Sequence, residues 1–266
     1  TTPVSYLSLI IEYTLLGSSV KLDELMDYAT SKGIDTLTIT DLDNMHGVIK
    51  FYQKCTKNNI KPIIGMHLTL ESKFNYYNSV LLYAKNNNGY KNLLKLSTMR
   101  KLSKEIYITD IYKYLSDIVV VLPSSEHELV KAYKEGSLEK IENILNEYKV
   151  LDDVYLGYDL QSEEAKYSID AMLAYFESKG LSGVAINKTN YLFNDDFRVY
   201  KTLKCVSENI KDYNHSEKEQ NSCFLNNERG RDLFRRYPAL LDNTTCIANK
   251  CNVTIEFGKY KMPVYD

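Results

Sequence analysis

Short apolar runs alternate along this chain with segments whose apolar residues recur at helical spacing. Leu22, Leu25, Met26 and Ala29, for example, fall on one face of a helix between the first two runs. The runs are continuous rather than alternating, as in strands that are covered on both faces. The pattern predicts a parallel α/β sheet, open or closed into a barrel. The predicted strands are 4–10, 34–40, 60–64, 79–84, 117–122, 153–158 and 182–187.

The helix boundaries carry ordinary start and stop residues. Ser19 is expected to cap the helix that Gly33 ends, and Gly180 follows a helix that spans Ala165 to Phe176. We interpret the chain as one domain, 1–266. It consists of a barrel at about 4–206, a polar surface loop at about 207–222 and a C-terminal helical segment at about 223–266, with helical patterns at 229–237 and 238–250.

Composition excludes several classes of function. The 266 residues include 33 Lys plus Arg against 35 Asp plus Glu, and the net charge of -2 gives no global attraction to nucleic acid or membrane. The five cysteines include no C-x-x-C pair, which argues against a disulfide framework or a structural zinc site. Because no apolar stretch is long enough to span a bilayer, we expect a cytoplasmic protein without a membrane partner.

Familiar catalytic motifs are missing from the sequence. It has neither a GxxxxGK(S/T) phosphate loop nor GxGxxG, and Ser124-Ser125 lacks the flanking glycines of a hydrolase elbow. If the sheet closes into a barrel, function is expected at the carboxyl ends of the strands. Those ends lie near residues 10, 41, 65–67, 85, 123–125, 159 and 187–190.

Several recognisable segments follow one another in a fixed order. They are YTLL (13–16), ITDLDNMHGVIKFY (39–52), IKPIIG (60–65), LYAKN (82–86), GYKNL (89–93), IANKCNV (247–253) and GKYKMP (258–263). In this order they resemble the polymerase and histidinol phosphatase (PHP) domain at the start of the bacterial DNA polymerase III alpha subunit. The last two resemble the segment just before the polymerase catalytic region, and the domain is uninterrupted, unlike the related type that carries an inserted exonuclease.

The resemblance implies a distorted seven-stranded (β/α) barrel of PHP type with a C-terminal helical extension. In active members, His, Asp, Glu and Cys at the strand ends bind two or three metal ions, which activate water to hydrolyse a phosphate ester. Several ligands are needed because adjacent divalent ions repel unless carboxylates neutralise them. The parent protein would be a DNA-directed DNA polymerase whose catalytic carboxylates lie outside these residues.

Most of the implied ligand positions hold residues that bind metal weakly or not at all. The first-strand His-x-His motif corresponds to Ser8 and Ile10, and the further histidine often found upstream corresponds to Tyr6. The usual Asp-His pair is Asp41-Leu42, so the carboxylate is retained and the imidazole is lost. The remaining positions are His67, Ser79, Ser125, Lys188 and Asn190.

Lys188 would place a positive charge where the ions would sit, at a cost of several kcal/mol at low effective dielectric. We therefore expect no metal cofactor and no catalytic residue in this domain, and we predict that Lys188 lies within contact distance of Asp41. The resemblance implies that the domain packs against the rest of the polymerase chain and docks a proofreading exonuclease, while DNA is bound by the parent polymerase.

Two enzymatic alternatives stay open at this point. A residual 3′–5′ exonuclease or phosphoesterase would use Asp41, His67 and Glu12 to hold Mn²⁺, Zn²⁺ or Mg²⁺ weakly. A free-standing phosphatase related to histidinol phosphatase would lack the polymerase-like segment that runs to Pro263.

The other polar residues have ordinary interpretations. We expect His46 to be packed or solvated, and His127 and His215 to lie in polar surface contexts. The basic stretches Lys91–Lys104 and Arg229–Arg236 are either solvated helix faces or contacts to DNA phosphates, and the sequence does not decide between the two.

Overall fold

A computed structural model describes residues 12–13, 19–31, 33–159, 163–186 and 237–257 of the chain. Six strands of at least five residues and one two-residue strand form a single curled sheet, in which neighbours in sequence are neighbours in space. The strands are β1 (Glu12–Tyr13), β2 (Thr36–Leu42), β3 (Lys61–Leu70), β4 (Asn78–Ala84), β5 (Ile118–Pro123), β6 (Val154–Asp159) and β7 (Ser182–Ile186).

Helices cover the sheet and fill most of the connections. Two 3₁₀ turns, Ile108–Asp110 and Tyr112–Tyr114, lead into β5. The helices are α1 (Ser19–Ser31), α2 (Val48–Lys57), α3 (Asn87–Leu102), α4 (Glu128–Lys134), α5 (Leu138–Tyr148), α6 (Glu163–Ser178) and α7 (Pro238–Lys250). None of these described helices is long and apolar enough to cross a membrane.

The strand order is sequential, but the sheet is mixed rather than parallel. β1, β2 and β3 are mutually parallel, as are β5, β6 and β7, whereas β4 runs antiparallel to both β3 and β5. The prediction of a wholly parallel sheet was therefore wrong. Only residues 71–77 separate β3 from β4, which is too short for the crossover that a parallel pair needs.

The direction of β4 also corrects the predicted position of Lys85. This residue was expected at the functional edge because it follows a strand. Since β4 is reversed, Lys85 instead lies at the opposite edge of the sheet, beside the start of β5, where its backbone N–H donates to the Asp117 carbonyl at 2.9 Å.

Every predicted strand from residue 34 onward occurs, with ends shifted by a few residues. The predicted first strand, 4–10, lies outside the described residues, as do the polar loop 207–222 and the helical pattern 229–236. No pairing between β7 and β1 is found in the described ranges, so the closed seven-stranded barrel stays a prediction.

Two apolar layers hold the sheet. The larger layer packs the helices α1 to α6 against one face. The smaller layer lies on the other face and joins strand residues to the C-terminal helix: Ile63, Leu81, Tyr83, Val119, Val121, Val184 and Ile186 pack with Ile247, Ala248 and Cys251. Helix α7 is thus part of the core and not an appended tail. It approaches β7 so closely that a Cβ on Gly183 would lie 2.6 Å from a methyl carbon of Leu240.

Candidate functional site

Polar side chains gather where β2, β3 and β5 end and the reversed β4 begins. Leu42, the last residue of β2, pairs in register with His67 of β3. Ser79 of β4 stands opposite Thr69 of β3. Glu126 follows the end of β5 by three residues. We call the region formed by Asp41, His67, Ser79 and Glu126 the site edge.

His67 is the centre of a hydrogen-bonded cluster. The side chain is buried, and its Nε2 lies 2.8 Å from the Ser79 Oγ and 3.2 Å from a Glu126 carboxylate oxygen. The Ser79 hydroxyl donates to the Glu126 carbonyl oxygen at 3.1 Å. Since a hydroxyl has one hydrogen to donate, its oxygen must accept the hydrogen of the imidazole. Nε2 therefore carries a proton in this arrangement and has no lone pair for a metal.

Asp43 fixes the loop after β2 to the neighbouring strand. Its carboxylate accepts hydrogen bonds from the backbone N–H and the hydroxyl of Thr69, each at 2.7 Å. Its own N–H donates to the His67 carbonyl at 2.8 Å, and its φ of 56° is left-handed. Asp tolerates that conformation better than most residues. Sequence reasoning missed Asp43, although an Asp directly after a strand is a recognisable turn former.

Asp41 and His67 do not share a face of the sheet. Asp41 is buried and pairs in register with Met66, which belongs to the helix-covered layer. His67 is the next residue, so strand alternation points it to the other face with Leu42. Leu42 is 47% exposed. Leu42 stands in place of the histidine of the usual Asp-His pair, and it is thus an exposed aliphatic side chain at the site edge.

The other predicted site residues are only partly described. Glu12 pairs in register with Thr38, three residues before Asp41 and so about 10 Å along the strand from it. Ser125 is exposed. Tyr6, Ser8, Ile10, Lys188 and Asn190 lie outside the described residues, so the predicted contact of Lys188 with Asp41 stays a prediction.

Within the described ranges, no three His, Cys, Asp or Glu side chains lie close enough together to hold a metal ion. His67 and Glu126 are two donors of suitable type, but they bond to each other, and Leu42 supplies none. The described residues therefore do not fit the metal centre that the resemblance implies, and the loss of that centre across the whole site stays a prediction.

The opposite edge of the sheet carries a charged clamp formed by Lys85, Asp153 and Lys250. The Asp153 carboxylate lies 2.7 Å from the Lys85 Nζ and 3.1 Å from the Lys250 Nζ. Burial raises the pKa of Asp153, but the hydrogen bonds and charges of the two lysines outweigh it, and the pKa lies below its usual value. Nearby, the Lys61 ammonium donates to the Ala248 carbonyl at 2.7 Å. These contacts hold α7 to the start of the strands.

His127 corrects a second expectation, because it is buried and not at a polar surface. Its Nδ1 accepts the Leu129 N–H at 3.0 Å and caps α4, so its Nε2–H donates to the Tyr148 hydroxyl at 2.8 Å. Burial lowers the pKa of His127 to about 3. A satisfied neutral imidazole of this kind is a structural group, and a sequence with polar neighbours at 124–128 gave no sign of it.

The basic stretch 91–104 has two parts. The Arg100 guanidinium donates to the carbonyls of Thr69, Ser103 and Lys104, which makes it a structural clasp. Lys101 Nζ donates to the imidazole of the exposed His46 at 3.1 Å. Lys91 and Lys95 are exposed. The second stretch, Arg229–Arg236, lies outside the described residues.

Comparison with known proteins gives a family match over most of the chain. A family model described as the PHP domain matches residues 9–189. The DNA polymerase III subunit alpha of Halalkalibacterium halodurans is 30% identical over 96% of the chain, and that of Buchnera aphidicola (from Schizaphis graminum) is 29% identical over 96%. The subunit from Staphylococcus aureus is 28% identical over 98%. The chain spans about 23% of the length of these relatives.

A solved structure described as a metal-dependent phosphoesterase of Bifidobacterium adolescentis aligns with 62% of this chain and 81% of its own, at 9% identity and a TM-score of 0.40. A TM-score and an identity this low do not support an inference about this chain.

Proposed function

The chain belongs to the PHP domain family, and from that premise we propose that it is the N-terminal PHP module of a DNA polymerase III alpha subunit, without a metal centre of its own. The curated relatives are alpha subunits, and the match to them runs through residues well beyond 189, where the family model ends. The parent would be a cytoplasmic DNA-directed DNA polymerase that acts in replication. A gene whose reading frame carries no polymerase region after these residues would contradict this assignment.

We further propose that the sheet closes into a seven-stranded barrel through residues outside the described ranges. The parallel pairing of β1 with β2 and the curl of the sheet support this closure. Hydrogen–deuterium exchange tests it. In a closed barrel the backbone amides of 182–186 and 4–13 are all paired with a neighbouring strand and exchange slowly. In an open sheet these strands are edges, and the amides that point away from the sheet exchange freely.

One observation carries the proposal of a silent site. The Nε2–H of His67 is already shared between Ser79 and Glu126, in a buried position. A metal that bound at Nε2 would have to displace that hydrogen and break the cluster, and the exposed Leu42 offers it no replacement ligand. His67, Ser79 and Glu126 thus satisfy one another, which is the ordinary condition of buried polar groups.

Nitrogen NMR of the His67 imidazole tests this arrangement. We expect a ring that carries a proton on Nε2, whose signal moves in Ser79→Ala but is unchanged by added Zn²⁺. The matched control is Ser125→Ala, a neighbouring exposed serine that should leave the signal in place. A ring that loses the Nε2 proton when Zn²⁺ is added would overturn the proposal.

The role that remains for such a module is structural. It would pack against the polymerase body and dock a proofreading exonuclease subunit. Co-elution of the purified chain with such a subunit in size-exclusion chromatography tests the docking role. Independent elution of the two at micromolar concentration, together with unimpaired proofreading after deletion of the module, would contradict it.

The second candidate function is a residual metal-dependent phosphoesterase or 3′–5′ exonuclease. It is favoured only by the short distance between His67 and Glu126, two side chains of the kinds that bind Zn²⁺ and Mn²⁺. Hydrolysis of bis(p-nitrophenyl) phosphate in the presence of Mn²⁺ measures it directly. A turnover that His67→Ala abolishes would establish the enzyme, and no turnover above that of the variant would exclude it.

A further inference from the structure

Helix α3 and the two residues after it are rich in basic residues and free of acidic ones. Residues 87–104 contain five basic side chains and no acidic one, in a chain whose net charge is -2. A local excess of this size on one helix produces a positive potential that the whole-chain charge conceals. The five residues are Lys91, Lys95, Arg100, Lys101 and Lys104.

A contribution to the stability of the fold accounts for two of these five basic residues but not for Lys91 and Lys95. Arg100 and Lys101 lie in the last turn of α3, where cations interact favourably with the helix dipole, and Arg100 also clasps three carbonyls. Lys91 and Lys95 lie in the first half of the helix, where the dipole gives them no such advantage. Both are exposed, and neither forms an ion pair with a carboxylate among the described residues.

The exposed stripe of α3 is polar along most of its length. Asn88, Lys91 and Lys95 follow one another at helical spacing, and the stripe ends at Leu102, which is 81% exposed. Lys91 and Lys95 stand about 6 Å apart along the helix axis. The two free ammonium groups suit neighbouring phosphates of a strand, whereas insertion into a membrane needs a continuous apolar face, which one leucine does not make.

The surface formed by α4 and α5 shows the contrast. On this surface acidic residues outnumber basic ones. Lys140 pairs with Glu135, and Glu139 and Glu142 are close in sequence. Exposed lysines in such a setting are ordinary solvated residues whose field is cancelled locally. The matching pair on this surface is Lys131 and Lys134, both exposed on α4.

We infer that the face of α3 carrying Lys91 and Lys95 is a contact surface for the phosphodiester backbone of a nucleic acid. The charge distribution carries the inference, and the choice of DNA as the polyanion rests on the proposed function. Contact by so few lysines is sequence-independent and weak, toward the 10⁻⁴ M end of the Kd range of about 10⁻⁴ to 10⁻⁶ M for such binding at physiological salt.

Fluorescence anisotropy with a labelled DNA duplex tests the surface. The 266-residue chain is titrated in EDTA, so that the result is independent of any metal, at salt concentrations from about 50 to 200 mM. The variant is Lys91→Glu/Lys95→Glu, and the control with the same charge change is Lys131→Glu/Lys134→Glu. Thermal unfolding of both variants should match that of the parent chain, because all four side chains are exposed.

The expected result is binding that the α3 variant weakens at least tenfold while the α4 control stays close to the parent. The slope of log K against log salt should become shallower by about 2 in the α3 variant, one for each phosphate contact removed. Equal binding by the two variants would overturn the inference. So would a parent chain that fails to bind the duplex at the lowest salt, or one that binds vesicles of anionic phospholipid and not DNA.

Failure of the α3 surface to bind DNA can be distinguished from failure of the proposed function. Loss of the DNA contact leaves the state of His67 and the absence of metal binding untouched, and metal binding at the site edge leaves the salt dependence of α3 untouched.

Discussion

The two edges of the sheet use their polar residues differently. At the clamp, Asp153 binds Lys85 and Lys250. Helix α7 adds Ile247, Ala248 and Cys251 to the smaller apolar layer. At the site edge, His67, Ser79 and Glu126 bond to one another, and Leu42 stands exposed. The clamp therefore joins α7 to the sheet, whereas the cluster at the site edge joins β3 and β4 to the loop after β5. Stability should depend far more on the clamp edge than on the edge where the family's chemistry lies.

The largest effect is expected from placing a charge in the layer that α7 shares with the sheet. Ile247 is fully buried there, and Ile247→Asp should lower the free energy of unfolding by about 3 to 5 kcal/mol, through lost packing and an unpaired buried carboxylate. Urea denaturation measures the change. The adjacent exposed Cys246→Asp serves as the control and should cost little. Similar losses in the two variants would mean that α7 is not part of the core.

The clamp itself gives the next largest effect. Asp153→Asn leaves Lys85 and Lys250 facing a neutral side chain and should cost about 2 kcal/mol at pH 7. Because the folded pKa of Asp153 lies below 3.8, its contribution is present above pH 3.8 and disappears as the pH falls through the folded pKa. The parent chain and the variant should therefore converge in acid. Asp152→Asn, exposed and adjacent, is the control; a difference that persists undiminished at low pH would contradict this assignment.

A smaller, pH-dependent effect is expected from His127. Its folded pKa of about 3 lies below 6.5, so its contribution is full above pH 6.5 and is lost as the pH falls toward 3. His127→Asn keeps the cap on α4 but removes both the bond to Tyr148 and the titration. We expect a loss of about 1 to 2 kcal/mol at pH 7 that shrinks by pH 5, measured by urea denaturation at both values. A loss that grows toward pH 5 would show that His127 is not a buried neutral group.

Much of the fold could be predicted because the local pattern determines it. The strands from residue 34 onward and the helix Pro238–Lys250 follow from apolar periodicity and from residues such as Gly33 and Gly180, both with positive φ. The reversal of β4 was missed because periodicity carries no strand direction. The length of the connection 71–77 was the information that decided it.

The site edge was harder to predict for the same reason. The family resemblance assigned His67 and Ser79 to one site, and the His67 Nε2 lies 2.8 Å from the Ser79 Oγ. It did not identify Glu126, whose side chain reaches His67 only because β5 lies beside the reversed β4. It also grouped Asp41 with His67, although strand alternation sends adjacent registers to opposite faces. The burial of His127 depends on the packing of α5, whose Tyr148 lies 21 residues further along the chain.

Calorimetric titration of the chain with Mn²⁺ and Zn²⁺ tests the central claim most directly. A site edge in which His67, Ser79 and Glu126 bond to one another should give no binding heat up to millimolar metal, and the parent chain should behave like Asp41→Ala and His67→Ala. Tight binding by the parent that either substitution abolishes would contradict the proposal of a silent PHP module.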